Sequence, residues 1–123
     1  MNVSNPTPTT GLHGFVDFFE CENTDNWSDS QSMLRTIKDQ AVLLGFTVLS
    51  QTSYDFSPQG SSGVLLLAES HISYHTWPEL RKISLDVYSC CKVRNESKIL
   101  GLLQFFKDTY KPSLKSNFSL VER

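Results

Sequence analysis

Apolar and polar positions alternate along this chain in a way that separates strands from helices. Leu12 to Cys21 is apolar and aromatic, with Phe15, Val16, Phe18 and Phe19, and predicts a buried strand. A polar stretch, Glu22 to Ser30, follows. Asp29 or Ser30 can cap a helix running to about Leu44, because Leu34, Ile37, Ala41 and Leu44 fall on one face at helical spacing and Gly45 follows the last of them. Phe46 to Tyr54 predicts a second strand, and the segment from Ser57 to Gly63 is rich in turn formers. Val64 to Ala68 is a continuous apolar strand, and Ile72 to Trp77 is another, stopped by Pro78. Ile83, Leu85 and Val87 alternate with Ser84, Asp86 and Tyr88, a strand with one face turned inward. Asn95 to Asp108 predicts a second helix lined by Ile99, Leu102, Leu103 and Phe106, and Leu114, Phe118 and Leu120 predict a final edge strand.

This order has no βαβ alternation. It predicts an α+β domain of two layers, a mostly antiparallel sheet with two helices on one face. The other sheet face then needs a cover, and a second subunit is the simplest one. The 123 residues suffice for about one domain, expected over residues 11–123 behind a frayed polar tail of residues 1–10. A net charge of −2 argues against a nucleic-acid binder, which would carry a basic stripe. The apolar runs are too short to span a membrane, and the N-terminus lacks the basic and apolar regions of a signal peptide. Three cysteines, Cys21, Cys90 and Cys91, make an odd count that suits a reducing cytoplasm better than a disulfide framework. His71 and His75 stand four apart, which would make a zinc pair on a helix, but their segment reads as a strand, so no metal site is expected.

Chemistry concentrates between Gly63 and Glu79, where an apolar strand runs into Glu69-Ser70-His71 and then His75-Thr76-Trp77-Pro78-Glu79. Left unpaired in a core, such polar groups cost roughly 1–3 kcal/mol each. Ser70 and His75 are an odd number of residues apart and would point to opposite faces of one straight strand. A hairpin or bulge between them is therefore expected if both serve one site.

The motif resembles the signature of the short bacterial and archaeal S-adenosylmethionine decarboxylases. The matching residues are Phe56-Ser57-Pro58-Gln59-Gly60-Ser61-Ser62-Gly63, Glu69-Ser70-His71 and His75 to Glu79, with Gly11-Leu12-His13, Val16-Asp17, Asp86-Val87 and Cys90 agreeing around them. Several spaced segments agreeing in order make a specific signal. The resemblance implies a self-cleaving proenzyme. Ser70 attacks the carbonyl of Glu69, a β chain of residues 1–69 is released, and Ser70 becomes the pyruvoyl group heading an α chain of residues 70–123. That group would form a Schiff base with the substrate amine, so no pyridoxal phosphate is needed, and the sequence has no phosphate-binding glycine loop. By the same resemblance His75 is the processing base, Ser62 supports processing, and Cys90 is the proton donor in decarboxylation. Phe56 and Trp77 are candidates to stack on adenine, and Glu79 to accept hydrogen bonds from the ribose diol.

The implied reaction converts S-adenosylmethionine to its decarboxylated form plus CO2, for spermidine and polyamine synthesis. The same chemistry on ornithine or arginine is the alternative, and an inactive regulatory paralogue is disfavoured because Ser70, His75 and Cys90 are all present. The resemblance also implies a homodimer packed sheet against sheet in an αββα arrangement, which places Phe56 within reach of the neighbour's site. Tyr54-Asp55, Tyr74, Leu80-Arg81-Lys82 and Cys91 depart from the usual pattern without touching the processing residues.

Overall fold

The computed structural model describes residues 10–123, so the expected tail lies outside the described residues except for Thr10. The first strand, β1 (Leu12–Phe18), buries every second residue. It stops earlier than expected because Glu20 turns the chain with φ +52°. Helix α1 (Ser30–Leu43) is capped by the Asp29 carboxylate, which accepts from the Ser32 amide. Strands β2 (Val48–Asp55) and β3 (Ser61–Leu67) follow. Then come β4 (Ser70–Trp77), a single 3-10 turn at Pro78–Leu80, and β5 (Lys82–Ser89). Helix α2 (Lys92–Tyr110) and β6 (Asn117–Glu122) complete the fold.

The six strands form one sheet in the order β2-β3-β4-β5-β1-β6, every neighbouring pair antiparallel. Both helices cover one face. Met33, Leu34, Ile37 and Ala41 of α1, and Ile99, Leu102, Leu103 and Phe106 of α2, join the inward side chains of the sheet in one core. Gly14 shows how close that packing is: a Cβ there would meet Ile99 Cγ2 at 2.8 Å. The α+β architecture and the edge position of β6 agree with the sequence pattern.

Two boundaries moved outward for a physical reason. Strand β3 begins at Ser61, not Val64, because the buried Ser61 hydroxyl donates to the Trp27 carbonyl at 2.7 Å and lies 2.8 Å from Tyr74 Oη. Thr76 Oγ1 accepts from the Ser61 amide at 2.9 Å and donates to the same Trp27 carbonyl at 2.8 Å. Polar side chains with partners continue a buried strand as well as apolar ones do. Helix α2 likewise starts at Lys92, whose amide donates to the Thr10 carbonyl at 2.7 Å. Among the described residues no helix lies over the opposite sheet face. It carries Phe15, Val64, Leu66, Tyr88 and Trp77 together with polar pairs such as His13–Asp86, 3.0 Å apart.

Candidate active site

The residues singled out by sequence fall into two groups at opposite ends of β4. The first surrounds the Glu69–Ser70 bond. Leu67 pairs with Ser70, so Ala68 and Glu69 form a two-residue connection between β3 and β4. Glu69 takes φ +63°, a left-handed conformation that costs an ordinary side chain roughly 1–2 kcal/mol. The Ala68 amide donates to the Thr47 carbonyl at 2.9 Å, and the Cys90 amide donates to the Glu69 carbonyl at 3.0 Å. The carbonyl preceding Ser70 is thus held and polarised by one backbone donor. Ser70 is 6% exposed, and its hydroxyl is buried without a hydrogen-bond partner among the described residues. An unsatisfied buried hydroxyl is unusual and costs roughly 1–3 kcal/mol.

Cys90 follows the last residue of β5 and is exposed, whereas Cys91 is buried. Of the two adjacent thiols, Cys90 is the accessible one. Ser89, directly across from Ser70, is fully buried. Its hydroxyl oxygen accepts from Asn95 Nδ2 at 2.6 Å and from the Cys91 amide at 3.1 Å. Neither Ser89 nor Asn95 was singled out from the sequence. The signal was present in β5, where Ser89 falls in phase with Ile83, Leu85 and Val87: a polar residue at an inward position has a partner to find.

The second group lies beyond the middle of β4. Phe56, Gln59, Ser62, His75, Trp77 and Glu79 line one cavity of about 290 Å³. Ser62 Oγ is 2.6 Å from His75 Nδ1 across the β3–β4 ladder. The His75 and Trp77 rings lie 6.2 Å apart, and Lys82 Nζ sits 4.7 Å over the Trp77 ring. Phe56 and Glu79 come from the two loops that flank this end of the sheet, and both are exposed. Aromatic faces beside an exposed carboxylate form a polar and stacking surface suited to a nucleoside.

The expected hairpin or bulge between Ser70 and His75 is not there. Pairing of β4 with β3 and with β5 runs through without a register shift. Chain reversal is completed at Ala68–Glu69, before Ser70. From there Ile72, Tyr74 and Thr76 must all turn inward to fill the core, which forces strict alternation. Ser70 therefore faces the helices and His75 the open face, about 16 Å further along the strand at roughly 3.3 Å per residue. Nor do the three nucleoside candidates converge beside Ser70, since Trp77 lies about 23 Å along the strand from it. His71 and His75 share the open face but stand about 13 Å apart on the strand, and His71 packs against Tyr88 with ring centroids 5.6 Å apart.

Comparison with known proteins identifies the family and the fold. The S-adenosylmethionine decarboxylase family profile matches residues 12–113. A Clostridium botulinum (strain Loch Maree / Type A3) S-adenosylmethionine decarboxylase proenzyme is 37% identical over 95 residues, 77% of this chain and 81% of the relative. A Methanococcus maripaludis (strain C5) S-adenosylmethionine decarboxylase proenzyme is 40% identical over 80 residues, 65% of each chain. The crystal structure of the adenosylmethionine decarboxylase from Aquifex aeolicus superposes with a TM-score of 0.81 at 30% identity, over 94% of this chain and 91% of that one. With most of its length matched in sequence and in fold, the chain belongs to the S-adenosylmethionine decarboxylase family.

Proposed function

We propose that this protein is a self-cleaving, pyruvoyl-dependent decarboxylase of S-adenosylmethionine, whose product serves polyamine synthesis. One observation carries the reading: Ser70 presents a buried, unpartnered hydroxyl next to a left-handed Glu69 whose carbonyl is already held by the Cys90 amide. Ser70 Oγ adds to that carbonyl carbon, the Glu69–Ser70 amide bond breaks, and the Ser70 nitrogen takes the proton, leaving an ester. His75 then removes the Ser70 α-proton, with its Nδ1 side held by Ser62, and Glu69 departs as a carboxylate. Water enters and ammonia leaves, so that residues 1–69 become the β chain and residues 70–123 an α chain headed by a pyruvoyl group. Release of the strain at Glu69 and of the desolvated hydroxyl both favour the forward direction.

The Ser70 position fits such a group, since it is shielded from water and its hydroxyl has no competing partner. Once formed, the pyruvoyl carbonyl supplies the electron sink for decarboxylation. The chain's own residues do the rest. Phe56 and Trp77 stack on adenine, Glu79 accepts from the ribose hydroxyls, and the Cys90 thiol delivers a proton to carbon.

The separation of the two groups supports a composite site. Ser70 and Cys90 stand at one end of the sheet, while Ser62, His75, Phe56, Trp77 and Glu79 stand at the other on the uncovered face. Two copies packed open face to open face, with strands running in opposite senses, would lay the sheet end that carries Ser70 and Cys90 in each chain over the end that carries His75 in its partner, leaving the Ser70 backbone between the two groups. In such a homodimer His75 and Ser62, as well as Phe56, would serve the partner's Ser70. Free thiols at Cys21, Cys90 and Cys91 support a reducing cytoplasm as the setting.

Intact mass under denaturing conditions tests the reading. Two fragments divided at Glu69–Ser70 are expected, the second carrying a pyruvoyl mass and, after borohydride reduction with S-adenosylmethionine, an adduct. A single uncut chain from the wild-type sequence would overturn the proposal, and an adduct with ornithine or arginine instead would change the substrate.

A further inference from the structure

The Cys90 amide that holds the Glu69 carbonyl lies outside the regular sheet. Pairing of β4 with β5 ends at Ser70 and Ser89, and Cys90 stands one residue further on, in a bend. Its 3.0 Å contact with the Glu69 carbonyl therefore depends on how that bend is fixed. Two side chains fix it. The Ser89 hydroxyl oxygen, fully buried, accepts from the Cys91 amide at 3.1 Å and from Asn95 Nδ2 at 2.6 Å. Asn95 is the fourth residue of α2, and it lines the same concavity as Ala68 and Glu69. The residues on both sides of Cys90 are thus tied to one oxygen, and the N–H between them is held toward Glu69.

Helix capping alone does not account for this arrangement. The Cys91 amide is one of the free donors at the start of α2, and the Ser89 oxygen by itself satisfies it. Asn95 adds nothing to that cap, since its side-chain amide meets no helix amide and instead anchors the Ser89 hydroxyl to α2. Resting on the proposed self-cleavage, the Glu69 carbonyl oxygen is where negative charge gathers as Ser70 Oγ adds to the carbonyl carbon. A donor already in place stabilises that charge without reorganising, and a loose one does not. We propose that Ser89 and Asn95 are positioning residues for self-cleavage, holding the Cys90 amide on the Glu69 carbonyl oxygen. Neither touches the reacting atoms, and both act through the Cys90 backbone.

The test uses full-length chains carrying His75→Ala, in which elimination lacks its base and the ester ends the path. Neutral hydroxylamine attacks that ester at the Glu69 carbonyl, leaving a hydroxamate on residues 1–69 and a free Ser70 amine at the head of residues 70–123. The chain has no Asn-Gly bond to compete. At saturating hydroxylamine, the rate of cutting is the rate of ester formation. Adding Ser89→Ala or Asn95→Ala should slow it roughly tenfold, less than the outright loss of an oxyanion donor. The two together should be little slower than Ser89→Ala alone, because they break one contact. Ser89→Thr keeps the hydroxyl and should restore most of the rate. Phe106→Leu, buried further along α2, loosens the core without touching the bend and should cut at the parent rate. The same ranking is expected for chains that keep His75, followed by mass during cell-free synthesis. Unchanged rates in both alanine variants would overturn the positioning role and leave self-cleavage intact. So would equal slowing by Phe106→Leu at a matched urea midpoint, or a Ser89→Thr chain of parent stability that cuts as slowly as Ser89→Ala. A wild-type chain that stays uncut would overturn both readings.

Discussion

At the scale of single residues, the proposed chemistry turns on one hydroxyl. The interior leaves Ser70 Oγ without a partner, a cost that a mere structural serine would avoid. A measurable consequence follows for chains that do not cut. His75→Ala is expected to stay uncut, because the base for elimination is gone. Adding Ser70→Ala to it removes the unpaired hydroxyl and should raise the free energy of unfolding by about 1–2 kcal/mol in urea titrations. A double variant less stable than His75→Ala would mean that Ser70 has a partner after all. Ser70, His75, Cys90 and the Glu69 junction could be proposed from the sequence because they stand in a spaced motif. The surroundings of Ser70 were not: Asn95 reaches Ser89 only because α2 begins three residues earlier than its apolar pattern implies.

Among the elements, β4 is the organising strand. It pairs with β5 along its whole length and with β3 from Ser70 to His75, and carries the proposed cleavage point at its start and the proposed processing histidine near its end. Its inward phase was readable from Ile72 onward, yet the expectation of a bulge came from asking one chain to assemble the whole site. The core decided otherwise, since Ile72, Tyr74 and Thr76 are each buried. Thr76 also ties β4 to β3 and to the loop before α1. Thr76→Val keeps the shape but strands the Ser61 amide and removes a donor from the Trp27 carbonyl. A loss of about 2–3 kcal/mol is expected in urea unfolding of an uncut background. A change below about 0.5 kcal/mol would show that water replaces the hydroxyl.

On the scale of the whole molecule, the proposed pairing of open faces makes a sharp genetic prediction. Ser70→Ala and His75→Ala chains should each stay uncut alone. Mixed during folding, the His75→Ala chain keeps its Ser70 and borrows His75 from its Ser70→Ala partner, so a fraction of it should cut. No cutting in mixed samples would place the histidine in the same chain as its target. Stability toward alkali is a second property of the whole. Burial pushes the Cys21 thiol up to about 11 and the Tyr74 phenol up to about 12, from ordinary values of 9.0 and 10.0. Both groups are held neutral in the folded state. Their contribution is complete below pH 9 and is lost as pH rises through 9 to 12, because the unfolded chain ionises first. Urea midpoints should accordingly fall across that window, and Cys21→Ala should flatten its lower half, between about pH 9 and 11.

The order of strands gives the proposed cut a lasting consequence. Residues 1–69 supply β1, β2 and β3, and residues 70–123 supply β4, β5 and β6, yet in the sheet β1 stands between β5 and β6. The two products are interleaved, each holding a strand that the other's sheet requires. They stay together without a covalent link, and neither can leave without tearing β1 from the middle of its ladder. Before the cut, the subunit forms by one chain closing on itself. Afterwards the same contacts can be remade only when two separate molecules meet, so their recovery depends on concentration. The cut so proposed makes the enzyme and in the same act removes its ability to refold as a single chain.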